Sequence, residues 1–233
     1  MIDYHAINDA TWPAARYLAF GNVIVREGKG GGQRVSSATV SGEWSNDDIA
    51  RAEAAQAALG QRSLFMVRAG ENALDNELAA RGYTIVDPVV IYGGDLAAIA
   101  VRPAPLTAFS VWPPLEIMRD IWAEGGIGPG RVAVMERASH PKTAILGRSN
   151  DRVAGVAYVA IHGETAMMHA LYVVSDRRRQ GTAVNMMRRA AIWAQYQGVT
   201  RFSVVVTRAN TAANTLYASL GMRIVEHYHY RSK

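Results

Sequence analysis

The stretch Arg177-Arg178-Arg179-Gln180-Gly181-Thr182-Ala183 decides how this chain is read. Residues 166–174 before it form an apolar, strand-like run, and residues 184–196 after it carry the spacing of a helix. A strand that turns through glycine into a helix leaves the first helical amides without backbone acceptors. Aligned with the helix dipole, those donors suit an anion, phosphate above all. Arginines at a helix start oppose the dipole unless an anion is present, and with one present they add charge-assisted hydrogen bonds. The turn is a phosphate-site candidate.

A second strand-like run, residues 201–207, leads into Asn210-Thr211-Ala212-Ala213-Asn214-Thr215-Leu216-Tyr217-Ala218-Ser219-Leu220-Gly221-Met222. Together the two segments resemble the GNAT family of N-acetyltransferases. The family signature R/Q-x-x-G-x-G/A reads here Arg178-x-x-Gly181-x-Ala183, and an Asn followed by an L-Y-x-x-x-G-F-like helix end reads Asn210, Leu216-Tyr217 and Gly221-Met222. The resemblance covers roughly residues 105–230. It implies an α/β (α+β) GNAT fold, a mixed and mostly antiparallel sheet with flanking helices, and acetyl-CoA as co-substrate. The implied reaction moves an acetyl group to a primary amine by direct attack in a ternary complex. A small-molecule acceptor is favoured because the first half of the chain crowds the groove. A catalytically silent acyl-CoA-binding or sensing protein and an enzyme for a longer acyl chain are the alternatives.

The resemblance also distributes roles. Backbone amides along Arg178, Arg179, Gln180, Gly181, Thr182 and Ala183 would face the pyrophosphate, and the Val173 amide would polarise the thioester carbonyl. Asn210 would cap a helix and bond the pantetheine arm. Tyr217, with an ordinary pKa near 10, would protonate the leaving thiolate. For the general base the residues offer several candidates. His169 has a suitable ordinary pKa near 6.5, and Glu164 or Glu136 could work through a water. Glu116 and Asp120, four apart on one helical face, could hold a cationic acceptor.

Composition sets limits. With 49% hydrophobic and 19% charged residues the 233-residue chain is an ordinary globular protein. It has no cysteine, which excludes disulfides, thiolate metal sites and a cysteine nucleophile. The formal charge of +5 is dispersed apart from the arginine run, so no nucleic-acid partner is expected, and no metal. Met1-Ile2-Asp3-Tyr4-His5 lacks the pattern of a signal peptide, and no apolar run reaches the roughly 18 residues that span a bilayer, so a cytoplasmic location is expected. Strand edges and a Trp-rich join leave a homodimer possible.

The first half predicts strands at residues 23–26 and 34–40, joined as a flexible hairpin by Glu27-Gly28-Lys29-Gly30-Gly31-Gly32. A helix at residues 46–59 capped by Asn46, a strand at 63–68, a helix at 73–81 and a strand at 83–92 follow. That order repeats later: Gly60 to Gly82 spans about 22 residues, Gly198 to Gly221 about 23, and Arg81-Gly82-Tyr83-Thr84-Ile85-Val86-Asp87 sits against Leu220-Gly221-Met222-Arg223-Ile224-Val225-Glu226. Leu78 then takes the place of Tyr217, and nothing between Val40 and Asn46 resembles the arginine-glycine turn. The expected organisation is a degenerate GNAT-like subdomain at residues 1–100 ahead of a catalytic domain at 101–233. The latter should open with a strand at 107–112 and a helix ending near Trp122, followed by a mobile glycine-rich rim at residues 125–130. An antiparallel meander should turn at Asn150-Asp151 and His162-Gly163.

Overall fold

Apolar residues alternating along the second half lay down the sheet. In the computed structural model, which describes residues 2–233, the chain runs α1 (Tyr4–Thr11), β1 (Arg16–Phe20), β2 (Val23–Glu27), β3 (Thr39–Val40), α2 (Asn46–Ala58), β4 (Leu64–Arg68), α3 (Asn72–Ala80) and β5 (Thr84–Asp95). The one-turn α4 (Leu96–Ile99) leads to β6 (Ala108–Val111), α5 (Glu116–Glu124), α6 (Pro129–Arg137), β7 (Lys142–Ser149), β8 (Arg152–His162) and β9 (Thr165–Val173). The chain then continues with α7 (Thr182–Tyr196), β10 (Arg201–Thr207), α8 (Thr211–Ser219) and β11 (Arg223–Ser232). Met1, which opens the stretch read for a leader, lies outside the described residues. Among them no helix is long and apolar enough to cross a membrane.

Alternation decides which face each residue buries. Ile145, Ala157, Val159 and Met168 face α7, whose Met186, Met187, Ala190, Ala191 and Ala194 are buried against them. Their neighbours Ala144, Leu146, Val156 and Tyr158 face the other way, onto Met118 and Trp122 of α5, Val134 and Met135 of α6, and Trp12 after α1. Each such fully buried large side chain contributes about 1.5–3 kcal/mol. The turn between β7 and β8 is Asn150-Asp151, at φ 50 and 58, the left-handed pair that Asn and Asp tolerate. The next turn falls at Gly163-Glu164 instead of His162-Gly163, because His162 still pairs with Thr165.

The first half departs further from its sequence reading. Residues 34–40 are a turn of 3-10 helix at Gln33–Val35 and then the two-residue β3, because Arg34 turns inward instead of extending. The hairpin partner of β2 across a tight turn is β1, which the sequence reading passed over. Ser45, not Asn46, caps α2: its hydroxyl accepts from Asp48 N at 3.3 Å while the Asp48 carboxylate accepts from Ser45 N at 3.0 Å. The glycine run is packed, not loose. A Cβ on Gly130 would meet the Gly30 carbonyl oxygen at 2.5 Å, so the loop lies directly on the first turn of α6.

Eight strands form one sheet in the order β4-β11-β5-β10-β9-β8-β7-β6, and β1-β2-β3 form a small second sheet. Only β9 and β10 run parallel; the other neighbours in the large sheet are antiparallel. Strands β4-β11-β5-β10 follow an exchange. The closing strand of the first half, β5, pairs with β10, and the closing strand of the second half, β11, pairs with β4. Asp75 of α3 fastens the exchange by accepting from Arg231 Nε at 2.7 Å and Nη2 at 3.0 Å, with His229 at 2.7 Å.

Candidate active site

The parallel pair β9 and β10 is in register only from Arg201↔Thr165 to Val204↔Met168. Beyond it the strands part, and the cause lies in β9. Opposite β8 the register steps from Val156↔Tyr172 to Tyr158↔His169, so β9 carries one extra residue, and Ala170 there has φ 52. Trp122 of α5 donates its indole N–H to the Ala170 carbonyl at 2.9 Å and holds the bulge in place. The split opens a cleft of about 320 Å³. One wall is residues 168–171 of β9, residues 205–207 of β10, Asn210 just before α8 and Tyr217 of α8; the other is Trp12, residues 31–34, Ile127 and Arg131.

At the end of β9 the chain makes the turn that the sequence singled out. Arg178 is extended and donates Nε to the Val173 carbonyl at 3.0 Å, while Arg179 and Gly181 take left-handed φ of 61 and 79. Gly181 precedes α7, and the first helical bond runs from Asn185 N to Gly181 O. The amides of Gly181, Thr182, Ala183 and Val184 therefore have no helical acceptor. No side chain caps them and no acid stands in the first turn, while a Cβ on Gly181 would meet nothing within 4 Å. Open donors, open space and neighbouring arginines fit the phosphates of a CoA-type carrier. Gln180 is braced beside them, accepting from Ser149 Oγ at 2.7 Å.

The remaining expected residues fall as follows. Asn210 caps α8, accepting from Ala213 N at 3.1 Å, and also lines the cleft. Asn214 fastens α8 to the end of β10, donating to Thr207 O at 3.1 Å and Asn210 O at 2.7 Å. Tyr217 lines the cleft with its ring against Tyr92, centroids 5.7 Å apart. Burial pushes its hydroxyl pKa well above the ordinary value, so the proton stays on at neutral pH. Val173 is further along β9 than the cleft wall; the bulge residues Ala170 and Leu171 line the cleft instead.

His169 is buried, and both its ring nitrogens are engaged. Nδ1 meets Arg34 Nη1 at 2.8 Å, Nε2 meets Thr11 Oγ1 at 2.9 Å, and Thr11 Oγ1 reaches Ile7 O at 2.7 Å. A guanidinium can only donate, so Nδ1 accepts and Nε2 carries the proton. No lone pair is left for an incoming amine, and the base role expected of His169 has no geometric support. Burial, then the nearby Arg34 charge, holds its pKa well below 6.5. The unfolded state therefore binds the extra proton first, and stability is full above about pH 6.5 and falls as pH drops below it. We expect the unfolding free energy from urea titrations to decline from about pH 7 to 5, at up to about 1.4 kcal/mol per pH unit, and the decline to flatten in His169→Gln. An equal slope in both proteins would dissociate His169 from the effect.

The other base candidates lie off the cleft. Glu136 and Glu116 flank Arg119 at 3.0 and 3.9 Å, Asp120 is exposed, and Glu164 is exposed at the far end of β9. The cleft's own carboxylate is Asp87, which accepts from Gln33 Nε2 at 2.8 Å. Asp87 read simply as part of a strand in the sequence, although Asp87-Pro88 is a turn-like pair that interrupts one. Among the described residues no three His, Asp or Glu side chains gather around a metal position.

A sheet split beside a bulge, with uncapped helix amides at one end and a buried tyrosine between, has the shape and the donors to suit an extended, phosphate-bearing carrier. Residues 112–222 match the model of the Acetyltransferase (GNAT) family, and that segment is a GNAT-family acetyltransferase domain. An uncharacterized N-acetyltransferase of Bacillus subtilis (strain 168) is 24% identical over 96% of this chain and 95% of its own. An aminoglycoside N(6')-acetyltransferase type 1 of Klebsiella aerogenes is 25% identical over 52% of this chain and 87% of its own. A GCN5-related N-acetyltransferase from Kribbella flavida superposes with a TM-score of 0.72 at 15% identity, covering 99% of this chain and 94% of that one.

Proposed function

We propose that the protein transfers an acetyl group from acetyl-CoA to a primary amine of a small molecule, by direct attack within the cleft. The observation that carries this reading is the uncapped start of α7 at the end of a split parallel pair. Bound acetyl-CoA would supply the thioester. The amides of residues 181–184 hold its phosphates, with Arg178 and Arg179 alongside. Asn210 orients the arm between β9 and β10. A main-chain N–H of the bulge at Ala170–Leu171, which lines the cleft and is pinned by Trp122, would bond the thioester carbonyl, a role that the sequence reading gave to Val173. Tyr217 gives its proton to the departing sulfur. The amine loses its proton to water, to Asp87, or to both.

Titration calorimetry tests the carrier site. Wild type should bind acetyl-CoA, and Gly181→Glu, which adds a carboxylate to the phosphate position in a left-handed backbone, should lose at least about 100-fold in affinity. Equal binding by both proteins would sink the assignment.

A catalytically silent acyl-CoA binder is the second reading, favoured by one observation: both nitrogens of His169 are engaged. Thiol release with a panel of amines separates the two readings, since a silent binder releases none. We also propose that residues 1–100 are a degenerate copy of the unit in 101–233. The exchanged strand order supports this, and so does the matching antiparallel pairing of β5 with β10 and of β11 with β4.

A further inference from the structure

Arg34 is a cation set into the cleft wall without an anion. Its Nη1 is spent on two neutral acceptors, His169 Nδ1 at 2.8 Å and Asn8 Oδ1 at 3.2 Å. Its guanidinium lies 5.6 Å from the centre of the Trp12 ring. Nε and Nη2 have no partner among the described residues, and no carboxylate comes within 4.0 Å of the group. The cleft's acid, Asp87, is engaged with Gln33 instead. Arg131, at the start of α6, adds a second guanidinium on the same wall, against Gly32 and with no ion-pair partner.

A part-buried guanidinium that is oriented through one nitrogen and left with its Nε–Nη2 edge free presents the paired donors that a carboxylate takes in two parallel hydrogen bonds. Burying that charge is costly until a counter-charge arrives. The cleft lining that holds this wall includes none of residues 177–184, the arginine turn that would hold the phosphates. We propose that the acceptor amine also carries a carboxylate, as an amino acid does, and that Arg34 receives it with Arg131 at the rim. Polycationic amines such as aminoglycosides would meet two like charges there. This inference rests on the acetyltransferase reading for the word acceptor, but the carboxylate site itself does not depend on catalysis.

Two measurements keep these apart. The first is calorimetric binding of N-acetylated α-amino acids and N-acetyl-4-aminobutyrate against their carboxamides, in wild type, Arg34→Lys, Arg34→Met and Arg131→Gln. The second is thiol release from acetyl-CoA with the corresponding free amines, their carboxamides and kanamycin. Acids should bind and turn over at least about 100-fold better than amides. That preference should shrink in Arg34→Lys, which keeps charge but not the fork, and vanish in Arg34→Met, with acetyl-CoA affinity unchanged in both. Arg131→Gln, on the exposed rim and away from His169, should weaken acids several-fold, and it covers the case in which loss of Arg34 unfolds the protein. Turnover that favours amides or kanamycin, or a panel in which no acid binds, overturns the carboxylate site. Acids that bind through Arg34 without any acetyl-CoA binding or turnover uphold the site and overturn the acetyltransferase reading.

Discussion

Tyr217→Phe is expected to lower turnover by about 10²–10⁴-fold while acetyl-CoA affinity stays close to wild type. The ring would remain packed against Tyr92, so the variant removes one hydroxyl and its proton and little else. That loss corresponds to roughly 3–5.5 kcal/mol of transition-state stabilisation. Burial keeps the proton on Tyr217 through neutral pH, so in the proposed reaction the hydroxyl would be a donor to the leaving thiolate in that range. Steady-state thiol release and calorimetry on the same preparation read both quantities. Unchanged turnover would remove Tyr217 from the chemistry and leave it as a packing residue of α8.

The largest stability effect should come from Trp122. Its side chain is fully buried in the face formed by α5, α6 and β8, and truncation to Ala should cost about 3–5 kcal/mol in urea unfolding. Trp122→Phe asks a finer question. Phe keeps much of the packing but cannot donate to the Ala170 carbonyl, which is then left without that partner at a cost of about 1–3 kcal/mol. Because that bond pins the bulge that opens the cleft, the Phe variant should also lose turnover beyond what its modest loss of stability explains. A Phe variant with wild-type stability and turnover would mean that the bulge holds itself.

What could be read from the sequence follows the range of the interactions involved. The second half announces itself locally. The turn around Gly181, the cap at Asn210, the Asn150-Asp151 hairpin and the alternation of β7 to β9 are each set by neighbours a few residues apart. The first half does not. The buried face of α1 is Tyr4, Ile7, Asn8 and Thr11, half of it polar because Asn8 and Thr11 hold Arg34 and His169, so its helical spacing carries no apolar stripe. The start of α6 reads as a breaker because Pro129 and Gly130 open it, yet Pro fits a first turn and Gly130 makes room for Gly30. The bulge at Ala170 has no residue signature; its support arrives from Trp122, 48 positions away. Arg34 reaches His169 across 135 positions, so this wall of the cleft forms only in three dimensions.

The exchange of closing strands bears on how the chain is made. β11, the strand furthest along the sequence, lies between β4 and β5, two strands synthesised long before it. Until it emerges, β4 and β5 lack the strand that joins them in the sheet, and unpaired strand edges recruit whatever extended segment is nearest. The first half therefore cannot mature ahead of the second. Loss of residues 223–232 would not trim the protein at its margin but leave a slot through the middle of its sheet, one that a separate peptide of that sequence should be able to enter.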